Sequence, residues 1–241
     1  KHKPRVIAFG EIHPKPEFKH KSTKARFAEE VLPALVNNGI RVLVLEHVLT
    51  DYRIRAELKR FFAYKAEIDT IETPILWLYS AYHDRDDFVA ILYQCRKLRI
   101  QVLAGGMTVA QADATTRHPH FNKNIDLQIR AMRYTGRATE AQAQSLLKAN
   151  RRARFAIYGG LIHNNIVEDR SLVRDGTNYG QRLSKKLGKG YFEVDLLLPP
   201  DSDMIDSYGR LNNWRTLVPS KGVTAVLRAQ TRIIIFPVEK K

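Results

Sequence analysis

The sequence predicts an α/β fold, a three-layer α/β/α arrangement around a mainly parallel sheet, and three observations carry that prediction. Short aliphatic runs alternate along the chain with amphipathic stretches of helical spacing. The run Arg41-Val-Leu-Val-Leu45 is almost continuously apolar, as expected of a strand covered on both faces. No Gly/Ser-rich or Pro-rich linker divides the 241 residues, so a single domain over residues 1–241 is expected.

The elements follow in order. Arg5–Phe9 reads as a buried strand. Ser22–Asn38 is an amphipathic helix with Phe27, Val31, Leu32, Leu35 and Val36 on one face, and Gly39 follows as its C′ residue. Arg41–Leu45 is the next strand, which completes a βαβ unit. Thr50-Asp51 can cap a helix running to about Lys65. Ile68–Tyr82 fits neither period. Asp84–Arg99 is helical, and Ile100–Ala104 is a strand ending at Gly105-Gly106. Asn122–Tyr134 and Thr139–Ala149 read as two helices. Arg154–Tyr158 is the fourth strand and ends at Gly159-Gly160. Tyr179–Leu187 is a helix stopped by Gly188, and Tyr191–Leu198 is a fifth strand ended by Pro199-Pro200. Asp201–Gly222 is polar and turn-rich. Arg232–Val238 is the last strand, and Pro237 sets that end at an edge or terminus.

Composition narrows the classes. Cys95 is the one cysteine, which forbids an internal disulfide and any multi-cysteine zinc site. Its helical surroundings make it a small core or boundary residue. Apolar runs fall short of the ~18–20 residues needed for a membrane span. Basic residues number 40 against 25 acidic, a net charge of +15. That balance points to an anionic partner such as nucleic acid, an anionic membrane surface or another polyanion. The basic residues are spread along the chain, so a solvated basic surface is the plainer reading. A Gly-x-Ser-x-Gly elbow, a P-loop and a Gly-x-Gly-x-x-Gly after the first strand are all missing.

Two strand ends repeat one pattern. Arg5-Val-Ile-Ala-Phe-Gly-Glu-Ile-His13 stands beside Arg154-Phe-Ala-Ile-Tyr-Gly-Gly-Leu-Ile-His163. Each is a hydrophobic strand followed by glycine and, soon after, histidine. In open α/β sheets, ligands bind beyond the carboxyl ends of the strands. A glycine there lets the chain turn so that the next side chains face the crevice. A third strand closes on Glu46-His47, and a glutamate ending a buried aliphatic strand is costly without a partner or a task. Glu11, His13, Glu46, His47 and His163 can therefore converge. Such a set suits a divalent metal with an open position, held by His13, Glu46 and His163, or a metal-free acid–base site. Glu46 could instead pair with Arg5 or Arg154. Weaker candidates are His20, the clip His118-Pro-His120 near Asp113, Asn164-Asn165 beside His163, and the phenols of Tyr52, Tyr158 and Tyr179.

The motif Phe9-Gly-Glu-Ile-His13, the strand ending in Glu46 and Tyr158-Gly-Gly-Leu-Ile-His163 together resemble one superfamily. It joins erythromycin esterase-like proteins, ChaN-type haem-binding uptake lipoproteins and TraB/Tiki-type proteins. Asn122–Met132 and Gly180–Gly188 look like the corresponding helices, and the likeness spans residues 5–198. The resemblance implies a crevice lined by Glu11, His13, Glu46 and His163. These would activate water in esterase-like members and hold a divalent metal in Tiki-like ones. ChaN-type members bind haem, which makes a non-enzymatic haem or iron protein the second reading; a basic polyanion-binding module is the third. Pro14 replaces an aspartate usual in ChaN-type sequences, and only a displaced His20 remains of a histidine pair. The resemblance also favours an extracytoplasmic, periplasmic or lipid-anchored location. The chain opens on Lys1 rather than Met, as a processed or trimmed chain would, with any export signal out of view.

Overall fold

The computed structural model describes residues 3–11, 21–65, 85–160, 163, 177–198, 223–228 and 230–236. Its strands are β1 Val6–Glu11, β2 Val42–Leu45, β3 Gln101–Ala104, β4 Phe155–Gly160, β5 Tyr191–Leu197, β6 Val223–Arg228 and β7 Thr231–Ile235. They form one sheet in the order β3-β2-β4-β1-β5-β7-β6. Every pairing is parallel except β6 with β7. The predicted parallel α/β sheet is therefore present, with β6 as an unforeseen antiparallel edge strand. Pro237 lies outside the described residues, as do 68–82 and 201–222.

Helices cover both faces. The first, α1, runs through the α-helical Thr23–Arg26, a π-helical turn at Phe27–Val31 and the α-helical Leu32–Asn37. Pro33 explains the wide turn: it has no N–H to give residue 29, and its ring would strike that carbonyl. Leu32 N–H instead donates five residues back to Phe27 O. The others are α2 Tyr52–Phe62, α3 Arg85–Lys97, α4 Val109–Asp113, α5 Ile125–Ala149 and α6 Tyr179–Leu187. Asp51 caps α2 by accepting from Arg53 N–H at 2.9 Å. Gly39 (φ 76°) and Gly188 (φ 51°) end α1 and α6 in conformations that glycine adopts without strain.

The period-two alternation of the strands divides the core. Phe9, Leu43, Leu45, Tyr158 and Leu196 face α1–α3, against Phe27, Leu32, Phe88 and Leu92. Val6, Ala8, Val44, Phe155, Ile157 and Tyr191 face α5 and α6, against Ala143, Leu147, Tyr179 and Leu183. The two helices expected over 122–149 are one continuous helix, α5. Gly136 costs it about 1 kcal/mol in propensity, but tertiary packing overrides this. Leu127, Ala131, Thr135, Thr139, Ala143 and Leu147 make a buried stripe at four-residue spacing, and Thr139 Oγ1 donates to Gly105 O at 2.7 Å. Among the described residues no helix is long and apolar enough to cross a membrane.

Candidate functional site

The strand register brings the candidate residues to one end of the sheet but distributes them over its two faces. Glu11 is the last residue of β1 and points toward α1, buried. Its Oε1 lies 2.5 Å from Lys24 Nζ, and neither side chain has any exposure. Its Oε2 accepts from Tyr158 Oη at 2.5 Å and from Thr23 Oγ1 at 3.0 Å. His47 Nε2 approaches Oε1 to 3.7 Å. Tyr158 is aimed by its ring, which packs on Phe27 at 4.1 Å between centroids. A buried carboxylate is tolerable here because a cation and two hydroxyls replace its water.

Glu46 follows β2 and extends its ladder, with its N–H donating to Tyr158 O at 3.0 Å. Its side chain sits beside β4. Oε1 lies 3.5 Å from His163 Nε2 and accepts a long 3.4 Å bond from Gly160 N–H. Oε2 is buried without a hydrogen-bond partner among the described residues. Burial raises the Glu46 pKa; His163 and the Gly160 N–H oppose that rise, and the nearby charge of Glu11 adds to it. Both carboxylates thus belong to one electrostatic neighbourhood.

His163 is held by its other nitrogen. Nδ1 donates to Thr177 O at 2.7 Å, because a carbonyl can only accept. In the neutral ring the lone pair is therefore on Nε2, facing Glu46. The ring lies parallel to that of Tyr179, 6.5 Å away at 4°. Tyr179 Oη is buried and unpartnered among the described residues. Burial, then Glu46, then Glu193 push its phenol well above the usual value, so it stays a neutral donor.

The glycines act differently from the expected turn. β4 continues straight through Gly159 and Gly160. Gly159 is needed for space: a Cβ there would overlap the Glu46 carboxylate.

Among the sequence candidates, Glu46 and His163 meet, and Glu11 meets His47. His13, His20, Asn164 and Asn165 lie outside the described residues. Pairing of Glu46 with Arg5 or Arg154 is overturned. Those arginines precede β1 and β4, at the opposite end of the sheet, and Arg154 binds Pro4 O and Asn38 O. His118 and His120 are exposed, with Asp113 paired to Arg117. Tyr52 is exposed and accepts from Arg53 Nε. Cys95 is buried, and burial pushes its thiol up, which makes it inert.

Lys24, Thr23, Tyr158, Tyr179 and Thr177 complete the site. Lys24 had a legible signal, since it precedes Phe27 by three residues and Ala28 by four, on the apolar stripe of α1.

Two donors suit a metal, the Glu46 carboxylate with its unpartnered oxygen and His163 Nε2. Among the described residues no group of three His, Cys, Asp or Glu is placed to hold one. For haem, Tyr158 is committed to Glu11, and the Tyr179 phenolate is disfavoured by burial and acidic neighbours.

No family model matches the sequence, and no curated protein matches it. Solved structures do match. The type III effector HopBA1 is 12% identical with a TM-score of 0.54, covering 98% of this chain and 88% of its own. A mutant of the erythromycin esterase EreC in its open conformation is 11% identical with a TM-score of 0.52, covering 81% and 70%. The fold is shared with both. RRSP, a MARTX toxin effector domain from Vibrio vulnificus, is 16% identical with a TM-score of 0.50 over 80% of this chain, and the chain spans 33% of that structure's length. The motif resemblance to erythromycin esterase-like proteins thus extends to the architecture.

Proposed function

We propose that the chain is a single-domain, hydrolase-like protein in which Glu46 and His163 activate a water molecule. The buried pair itself, with His163 locked by Thr177 O, is the observation that carries this reading. A water at Nε2 gives its proton to the imidazole as its oxygen attacks an acyl carbonyl. Glu46 stabilises the imidazolium, and the same proton then passes to the leaving alcohol or amine. The bond formed is O–C, the bond broken is between acyl carbon and leaving group, and the proton ends on the latter. His13, the resemblance's other histidine, belongs to the same proposed crevice. Glu11 is assigned the role of a fixed charge, since Lys24, Thr23 and Tyr158 already occupy its lone pairs. Tyr179, held neutral, is a donor toward developing negative charge.

Hydrolysis of p-nitrophenyl acetate tests the reading. The chain should turn it over with saturation, and His163→Asn should lower the rate by about 10²–10⁴-fold with an unchanged circular dichroism spectrum. Equal rates for the two proteins would overturn the assignment.

A further inference from the structure

A second feature lies on the outer edge of the sheet, at β3, which pairs with the strand that leads to Glu46. Among the described residues β3 is paired on one side only, to β2. Gln101 and Gly105 turn their N–H groups inward, to Arg41 O and Leu45 O at 2.9 Å each. Residues of a parallel strand alternate in the side to which they bond, so Val102 and Ala104 turn theirs outward.

Two cavities, of about 780 and 450 Å³, run along this edge. Arg55 and Gln142 line both, so the two form one groove. α2 is one lip and α5 the other. Its wall is apolar at Leu58, Phe62 and Val102. Its charge is of one sign: Arg55, Lys59, Arg96 and Arg99 line the larger cavity and Arg137 the smaller. Among the described residues no carboxylate lines either one.

We propose that this groove binds an extended acidic segment of a partner polypeptide, added as a further strand to β3. Main-chain bonds to Val102 and Ala104 would fix its register, as in β-strand addition generally. Its alternate side chains would fall on the apolar wall and on the basic lips. Four residues of β3 span about 13 Å, which suits a ligand of five to seven residues. Charge complementarity selects an acidic sequence. A single-stranded nucleic acid is disfavoured because it needs free aromatic faces. Here the guanidinium of Arg96 already lies over Phe61, Tyr64 and Tyr93, at 4.2, 4.7 and 4.9 Å.

Basic residues beside an edge strand also deter self-association, and one experiment separates the two roles. A fluorescein-labelled heptapeptide alternating Glu or Asp with Val is titrated into the full chain and followed by anisotropy. The controls are the same peptide with alternate backbone nitrogens methylated, and labelled oligothymidylate. Saturable binding is expected, abolished by N-methylation and weakened at least about tenfold, or 1.4 kcal/mol, in the exposed double variant Arg55→Glu/Lys59→Glu. Equal binding of the methylated peptide would reduce the groove to a non-specific anion surface and overturn the proposal. Failure of the acidic peptide to saturate, or its displacement by oligothymidylate at lower concentration, would overturn it too. Neither variant position touches the Glu46–His163 pair, so ester hydrolysis should be unchanged in the double variant.

Discussion

Replacing Lys24 by methionine keeps most of the length of the side chain and removes its charge, taking from the buried Glu11 carboxylate the ammonium group that lies against its Oε1. Both partners are fully buried and 2.5 Å apart, so water cannot take over from the ammonium group. Breaking such a pair from one side costs on the order of 3–5 kcal/mol. A domain of this kind is stable by only about 5–15 kcal/mol, so the variant should lose roughly a fifth or more of its stability. Glu11→Gln takes the carboxylate from the buried ammonium instead and should cost a similar amount. The double variant Glu11→Gln/Lys24→Met strands no charge and should be more stable than either single one. Equilibrium urea unfolding of the four proteins, analysed as a double-mutant cycle at pH 7, measures this directly. Additive single effects, or a Lys24→Met loss below about 1 kcal/mol, would refute a buried, mutually dependent pair.

Two further outcomes follow from the other half of the site. The folded-state pKa of Glu46 is raised, so its stabilising contribution is complete below the unfolded value near 4.5 and is lost as pH rises toward the folded value. The wild type should therefore lose about 1.4 kcal/mol per pH unit within that window relative to Glu46→Gln. A stability difference that stays constant from pH 4 to 8 would contradict the burial-driven displacement. Gly159→Ala should cost about 1–3 kcal/mol from overpacking and should depress ester hydrolysis further by displacing the Glu46 carboxylate. A variant with unchanged melting temperature and rate would show that Gly159 does not make the space for that carboxylate.

The parallel sheet was legible because its strands are covered on both faces, and such strands advertise themselves as apolar runs like 42–45 and 155–158. β6 was not read from its sequence, Val223-Thr-Ala-Val-Leu-Arg228, which follows a long polar stretch. The break expected between Tyr134 and Thr139 does not occur, because packing of a small-residue stripe on the sheet carries the helix through, and that is a tertiary fact. The meeting of Glu46 and His163 was legible from strand-end logic, since chemistry at the carboxyl ends of parallel strands shares one rim. Which face each residue takes was not anticipated, although it depends on register parity: Glu11 and Glu46 stand at the ends of β1 and β2, on either side of β4, yet point to opposite helical layers. Lys24 escaped notice because a lysine on an apolar stripe looks like a boundary residue until its carboxylate is found.

The place of β1 has a consequence for how the chain comes to be folded. It precedes the other described strands in the chain and lies between β4 and β5, pairing Glu11 with Gly160 and Leu196. Its partners therefore arrive about 150 and 185 residues later. At about 5–20 residues per second of synthesis, the apolar segment 6–9 waits roughly 10–40 s for its second neighbour. Contacts of such long sequence separation also slow refolding of the full-length chain. A nascent chain halted before residue 155 has no sheet centre to close, and its exposed first strand is a natural target for holding chaperones and a hazard for aggregation.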